Sequence, residues 1–579
     1  MFLPVSINEI KKLGWKEIDV ILVSGDAYID SSFSGTAVIG KYLVKHGYRV
    51  AVISQPDIES DKDITLFGEP RLFWGISSGC VDSMVANYTS LGKPRKSCDF
   101  TPNGINNKRP DRATIVYTGL IRRYFKNTVP VVLGGIEASL RRIAHYDSKT
   151  DKVRRSILFD SKADYIIYGM GEKPVLELAD RLAKKEDITN ICGLCYISKT
   201  IPEDALELPS FEDAASNKKL FHKMFKIFSD NSEAESAKKI FQKTGDRYLV
   251  QNKPYLYTED ILEEITDLEF ERDKHPLIEG KVKAVETIKH SIISHRGCFG
   301  NCAFCAIAVH QGRKVISRST ASIEKEVNSL INKKNFRGII SDIGGPTGNM
   351  YGMKCPKMQK FGACTHKHCL YPKVCPSMNT SHKPLIDMLS TVSNIKGVKK
   401  VFASSGVRPD LVISDKNYGR QYTHLICKNH VSGQLKLAPE SGDNSVLAAM
   451  KKTDNSSFIL FCEMYKKESK NLCKNQFISC YFMAAHPGEN KQKAESTKAF
   501  IDKYLDFSPE QVQIFTPTPS TWASCAYYTG LDEDGNDLYV EKLSSKKLEY
   551  KQIIMNKIKK TVNKNKFNNK TKKNVKRIK

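Results

Sequence analysis

The chain has 579 residues, 40% of them apolar and 27% charged, which excludes a wholly disordered protein and exceeds one ordinary core, so two to four folded units are expected. No run of about eighteen apolar residues occurs, so no membrane span is expected, and the opening "MFLPVSINEIKKLGW" lacks the basic flank, apolar stretch and small-residue cleavage site of a secretory signal, which points to the cytoplasm. The formal net charge of +26 admits nucleic acid as a partner.

Residues 1–184 alternate short apolar runs with helix-length segments. "DVILVSGDA" (19–27) reads as a buried parallel strand, followed by a helix near "GTAVIGKYLVKHG"; then come "YRVAVISQP", "RLFWGISSG", "ATIVYTGL", "VPVVLGGIEAS" and "ADYIIYGMGE". Continuous Val/Ile-rich runs at this spacing predict strands of an α/β, doubly wound, Rossmann-like domain. Ligands of such sheets sit beyond the carboxyl ends of the strands. Here those ends carry the turns Gly134-Gly135 and Gly169 to Glu172. Residues 185–284, rich in charge and in segments such as "SNKKLFHKMFKIFSDNSEAESAKKIFQKTG", read as a helical connector.

From 285 to 545 strand-like runs return: "TIKHSIISHRG", "FRGIISDIGG", "KKVFASSGVRPD", "VSGQLKLAPESG", "FISCYFMAAHPGE" and "QVQIFTPTPS". Six βα units predict a partial (β/α)6 barrel of the TIM type, whose chemistry gathers in the loops after the strands. Residues 546–579 read as a basic, disordered tail, since 551–579 hold twelve Lys or Arg and no acid. That tail is the place for electrostatic RNA binding; a plain solvated tail is the competing reading.

Sixteen cysteines in a large chain without an export signal read as reduced thiols or metal ligands. Nine are scattered and read mostly as buried small hydrophobes; Cys192 and Cys195 form an isolated CxxC. Cys298, Cys302 and Cys305 stand within eight residues, in "SHRGCFGNCAFCA", directly after the first barrel strand. Three thiolates so close suit three corners of a 4Fe-4S cube, with one iron left open for a ligand. Gly297 and Gly300 let the loop bend, and Phe304 offers a ring to a flat ligand. A Cys3His zinc site using His295 or His310 is the competing reading. Cys355, Cys364, Cys369 and Cys375, in an insertion at 350–380, have spacings of nine, five and six and suit a second metal site, zinc or another 4Fe-4S cluster, with His366 or His368 as substitute ligands.

The CxxxCxxC loop resembles the signature of radical S-adenosylmethionine (SAM) enzymes. "SDIGGPTGN" is similar to the glycine-rich segment of that family after the second barrel strand, "LAPESGDNSVLAAMKK" to its fourth-strand segment, and "YFMAAHPGE" to its fifth-strand turn. Over about 1–545 the chain resembles the YgiQ-type family, including "KRPDRATIVYTGLIRRYFKNTVPVVLGGIEASLRRIAHYD" and the four-cysteine segment. The resemblance implies a radical SAM barrel with a 4Fe-4S cluster at Cys298, Cys302 and Cys305. It also implies SAM contacts at Phe304, Gly344, Gly345, Arg408, Glu440 and Ser441, and an electron donor such as flavodoxin or ferredoxin. Turn glycines and an Arg408–Glu440 ion pair are the structural alternatives for those positions.

The first domain is similar to cobalamin-binding domains, yet "GDAYIDSSFSG" has no histidine where the family's DxHxxG pattern supplies one. Cobalamin and a remodelled substrate domain both remain open readings. For the whole chain the expectation is a radical SAM enzyme of unassigned substrate. An RNA-modifying radical SAM enzyme and a non-catalytic iron–sulfur or zinc-binding regulator are the alternatives.

Overall fold

Two sheet systems follow one another along the chain in the computed structural model, which describes residues 1–506, 509 and 511–556. The first is a nine-stranded sheet. At its heart five parallel strands lie side by side in the order Val50–Ser54, Val20–Ser24, Phe73–Ser77, Val131–Leu133 and Tyr165–Ile167. In chain order this is 2-1-3-4-5, the doubly wound arrangement whose winding reverses between the first and third strands.

Alternate residues feed two cores. Ile21, Val23, Trp74, Ile76, Val131 and Leu133 pack on one face with Tyr117 and Ile121. Leu22, Phe73 and Val132 pack on the other with Val38, Leu43, Val175 and Leu178 of the helices Gly35–Lys45 and Glu172–Lys184. Burial on both faces is why these strands read as unbroken apolar runs.

Two expectations for this half are corrected. "ATIVYTGL" is not a strand but the start of the helix Ala113–Tyr124. Ala113, Thr114, Tyr117, Thr118, Leu120 and Ile121 are buried there, a spacing of three and four that only a helix turns to one side. Nor is 185–284 a helical connector. Leu194–Ser198, Ala205–Leu208, Lys239–Thr244 and Arg247–Gln251 extend the same sheet. The pair 239–244/247–251 is an antiparallel hairpin whose tight turn hides in a charged sequence. Helices do occupy part of the segment, notably Lys218–Asp230 and Glu259–Thr266.

The second system is the partial barrel. Ser291–Ile293 pairs in parallel with Asp342–Gly344, and Ile339–Ile340 with Lys400–Val401. A parallel bridge joins Val407 to Leu437, and Gln434–Glu440, Phe477–Ala484 and Val512–Ile514 complete an arc of six strands in chain order. The tail expected from 546 begins instead as part of the helix Ser544–Met555, with Lys547, Tyr550 and Ile554 buried. The basic stretch on which the RNA reading rests lies, from 557 on, outside the described residues. Among the described residues no helix is long and apolar enough to cross a membrane.

Candidate functional site

The three-cysteine loop is closed at its base. His295–Arg296 pairs antiparallel with Ile316–Ser317, so the chain leaves the first barrel strand, makes the loop and returns beside its own start. Gly297 stands at φ +82, and a Cβ there would meet the Lys314 carbonyl oxygen at 1.9 Å, so only glycine fits this turn.

Cys298, Cys302 and Cys305 are all half-buried free thiols. The Gly300 amide donates to Cys298 Sγ at 3.4 Å, and Thr347 Oγ1 lies 3.6 Å from the same sulfur. Arg408 Nη1 approaches Cys302 Sγ at 3.6 Å. A Cβ at Gly300 would sit 2.9 Å from Arg408 Nη1, 3.2 Å from Cys298 Sγ and 3.6 Å from Cys302 Sγ. That glycine therefore clears the space into which two sulfurs and the guanidinium converge.

Burial pushes the Cys298 thiol up and the Cys305 thiol up to about 12, and neighbouring thiols push in the same direction. A bound metal reverses that balance, because a coordinating thiol is deprotonated outright. Among the described residues no group of three or more His, Cys, Asp or Glu is disposed to hold one metal ion. A lone zinc draws its sulfurs to about 2.3 Å of a single point; an iron–sulfur cube leaves each thiolate on its own corner and is wider. Three closely spaced thiols, two of them facing the space that Gly300 clears, suit the second donor set.

The histidines of the zinc reading are spent elsewhere. His295 Nδ1 meets Ser294 Oγ at 2.9 Å and its Nε2 meets the Thr347 carbonyl at 3.0 Å, while His310 Nδ1 lies 3.1 Å from Ser139 Oγ.

The other expected contacts divide. Arg408 and Glu440 come to the cysteines: Glu440 is felt electrostatically by Cys305 and by Arg408. It sits at φ +70 beside a register shift in the fourth strand, and burial raises its pKa. The two do not form the ion pair weighed as their structural alternative. Arg408 pairs with Asp410 at 2.5 Å, and among the described residues Glu440 has only Lys452 Nζ as a cationic partner, at 3.9 Å.

Gly344 and Gly345 are held tightly, since Cβ atoms would meet Ser405 Oγ and His295 Nε2, each at 2.6 Å. Phe304 packs edge-on to His486, ring centroids 6.1 Å apart. Ser441 turns inward: it is fully buried, its Oγ 3.0 Å from Thr497 Oγ1 and accepting from the Asp443 amide at 3.1 Å.

Asp410 and Asn349 were not foreseen. Asn349 Oδ1 accepts from the Arg408 amide at 2.8 Å and its Nδ2 donates to the Arg408 carbonyl at 3.1 Å, locking the arginine in place. A carboxylate two residues after Arg408, in "RPD", was the available signal. Arg296 was also missed: it pairs at 2.5 Å with Glu172, the first residue of the helix Glu172–Lys184 packed on the first sheet, both nearly buried, and with the Tyr257 hydroxyl at 3.0 Å.

The second cysteine group folds against this loop. Cys355 and Cys369 are buried, Cys375 is half-buried and Cys364 is exposed. Cys355 and Cys369 share an apolar cluster with Phe299, Met350, Met353, Met358 and Met378, against which Cys298 and Cys375 also pack. Burial, with the other three thiols, pushes Cys369 up to about 11 against the opposing pull of the Arg313 guanidinium. His366 is exposed, and His368 is committed to Glu533 at 3.0 Å. Of the scattered cysteines, Cys80 and Cys473 are exposed and Cys192 half-buried rather than buried.

Three cavities bear on the site and its neighbourhood. A cavity of about 290 Å³ opens at the switch point of the first sheet, lined by Leu22, Gly75 and Gly135 from the sheet and by Arg296 and His310 from the barrel. A small one of about 40 Å³ touches Cys302 and Cys305 and is walled by Glu233, Ser520, Thr521 and Trp522. The third, of about 460 Å³, lies between the two sheet systems beyond the sixth barrel strand.

Residues 2–291 match the family model for the radical SAM N-terminal region, and residues 292–501 match that of the radical SAM superfamily. A UPF0313 protein of Fusobacterium nucleatum subsp. nucleatum is 47% identical over 96% of this chain and 99% of its own length. A UPF0313 protein of Thermotoga neapolitana is 46% identical over 94% and 96%. The solved structure of the radical S-adenosylmethionine methyltransferase TsrM from Kitasatospora setae, with cobalamin and a 4Fe-4S cluster bound, is similar with a TM-score of 0.51. The two share 14% identity, over 93% of this chain and 91% of that one; at that identity the likeness is one of fold.

Proposed function

Because this chain belongs to the radical SAM superfamily and, within it, to the YgiQ-type UPF0313 proteins, and so is a SAM-cleaving enzyme, we propose that Cys298, Cys302 and Cys305 are the ligands of its 4Fe-4S cluster. The carrying observation is the convergence of the Cys298 and Cys302 sulfurs and Arg408 around Gly300, with the half-buried Cys305 on the same loop, at the carboxyl end of the first barrel strand. When bound, cluster and SAM supply a one-electron cleavage of the sulfonium bond that releases methionine and a 5′-deoxyadenosyl radical able to take hydrogen from a substrate.

The chain's own residues do the rest. Arg408 sets a fixed positive charge beside the thiolates, held by Asp410 and Asn349 so that no reorganisation is needed. Glu440 presents a buried carboxyl to an ammonium or hydroxyl donor of SAM, an arrangement that Lys452 at 3.9 Å leaves open. Gly344 and Gly345 bring the backbone of the second strand's turn close to that ligand, and Phe304 walls the loop. Ser441 supports the fourth-strand turn from within rather than touching a ligand. The packed walls around the loop keep water from a reactive radical.

We place the unit boundary near 285–291, with the four extra strands counted in the first unit. Cys355, Cys364, Cys369 and Cys375 are assigned to a second metal site, zinc or a further 4Fe-4S cluster, since the other three thiols all act on Cys369. Histidine-ligated cobalamin is not part of this reading, because in Asp30-Ser31-Ser32-Phe33-Ser34-Gly35, the stretch with the DxHxxG spacing, Ser32 stands at the histidine position and Asp30 is taken by Lys41 at 2.8 Å and the Tyr28 hydroxyl at 3.0 Å. An electron donor such as a flavodoxin or ferredoxin and a reducing, cytoplasmic setting for the sixteen free thiols complete the reading.

The test is anaerobic. Protein reconstituted with iron and sulfide receives dithionite and SAM, and 5′-deoxyadenosine is measured beside the Cys298/Cys302/Cys305 triple alanine variant. Product only with intact cysteines supports the assignment; equal product from the variant sinks it.

A further inference from the structure

The third cavity, of about 460 Å³, carries more positive charge than its own acids neutralise. Its acids are all committed. Asp82 pairs with Arg141 inside the cavity wall, Asp147 with Arg112 at 2.5 Å, and Asp151 accepts from Tyr146 Oη at 2.6 Å and meets Lys542 at 3.3 Å.

Two lysines of the wall are left over. Lys547, only 6% exposed, donates to Tyr527 Oη at 2.7 Å and lies 4.8 Å from that ring's centre. Lys149 lies 3.5 Å above the ring of Tyr88. Among the described residues neither ammonium has a carboxylate within 4.0 Å. A buried ammonium with a phenol as its partner is costly unless an anion completes it, and burial accordingly pulls the Lys547 pKa down.

The cavity also adjoins the chemistry. Thr516, Pro517 and Pro519 line it, and the next residues, Ser520, Thr521 and Trp522, line the small cavity at Cys302 and Cys305. One loop beyond the sixth strand thus forms a wall of both.

We propose that this cavity binds the anionic end, carboxylate or phosphate, of a small-molecule substrate, with Lys149 and Lys547 as its counter-ions and the Tyr88 and Tyr527 rings as its walls. The proposal rests on the radical SAM reading only in calling the ligand a substrate; anion binding itself stands apart from it.

Isothermal titration of the full-length, cluster-loaded protein at constant ionic strength tests it, with inorganic pyrophosphate and citrate as probes. Saturable one-to-one binding is expected. Lys149→Met and Lys547→Met should each weaken it about tenfold or more, the worth of a hydrogen bond to a charged group, while the exposed Lys467→Met should not. Preference for pyrophosphate assigns a phosphate end, preference for citrate a carboxylate end. Absence of saturable binding for both anions, or equal binding by all variants, overturns the proposal. Lys149 is exposed, so its variant decides the matter even where Lys547→Met fails to fold. SAM cleavage is read on the same wild-type preparation. Cleavage without anion binding refutes this site alone; binding without cleavage supports the site and counts against the radical reading.

Discussion

Replacing Arg296 with Met should cost about 3–5 kcal/mol, the penalty for removing one partner of a buried ion pair. Glu172 is 4% exposed and its Oε2 already lacks a hydrogen-bond partner, so losing the 2.5 Å contact to Arg296 leaves a buried carboxylate with nothing to offset its desolvation. The Tyr257 hydroxyl, 3.0 Å from the same guanidinium, loses its neighbour too.

The damage has a specific address. Arg296 precedes Gly297 and Cys298, and Glu172 opens a helix at the carboxyl end of the fifth strand of the first sheet, so the pair ties the cluster loop to the N-terminal unit. Urea unfolding followed by tryptophan fluorescence reads both sides, because Trp74 lies in the sheet and Trp522 walls the cysteine cavity. Glu172→Gln completes a double-mutant cycle. Arg296→Met alone should lower stability by the stated amount and reduce bound iron per chain. The Glu172→Gln/Arg296→Met double variant should recover a large part of the loss, since it buries no unpaired charge. A loss below about 1 kcal/mol in the single variant, or a coupling below about 0.5 kcal/mol, would refute the reasoning.

Three further outcomes are expected. Cys302→Ala should abolish 5′-deoxyadenosine formation and lower bound iron in the reconstituted protein; retained turnover contradicts the ligand assignment. Gly345→Ala places a Cβ 2.6 Å from His295 Nε2 and should cost about 1–3 kcal/mol by overpacking, with SAM affinity falling in equilibrium dialysis. Glu489 is pushed up to about 8 by burial, so between the ordinary glutamate range and pH 8 the native state holds a proton the unfolded chain has released. Stability from this group is therefore greatest below that range and falls as pH rises, by at most about 1.4 kcal/mol per pH unit. Glu489→Gln should flatten that slope in urea denaturation at pH 5 to 8.5, and an unchanged slope counts against the shifted carboxyl.

The alternation of two α/β systems was legible because strands buried on both faces must be written as apolar runs, and Val20–Val23 and Val50–Val52 are. The three cysteines were legible because a single loop can wrap a cluster only with closely spaced ligands. "ATIVYTGL" was misread because a short apolar run satisfies a strand and a buried helix equally until its partners are known. The hairpin at 239–251 was missed because its charged residues face solvent while Ile240, Phe241, Leu249 and Val250 face in.

By itself, then, the sequence marked out the three closely spaced cysteines Cys298, Cys302 and Cys305, the bend at Gly297 and the order of the two units. All of these depend on residues near one another in the chain. Only the tertiary structure decided that Arg408 takes Asp410 rather than Glu440, that Ser441 is spent on Thr497, that Glu172 reaches Arg296, and that Lys149 and Lys547 face one cavity. Apart from Arg408 and Asp410, which are two residues apart, those pairings join residues from separate elements, and which charge meets which is set by the packing that brings them together.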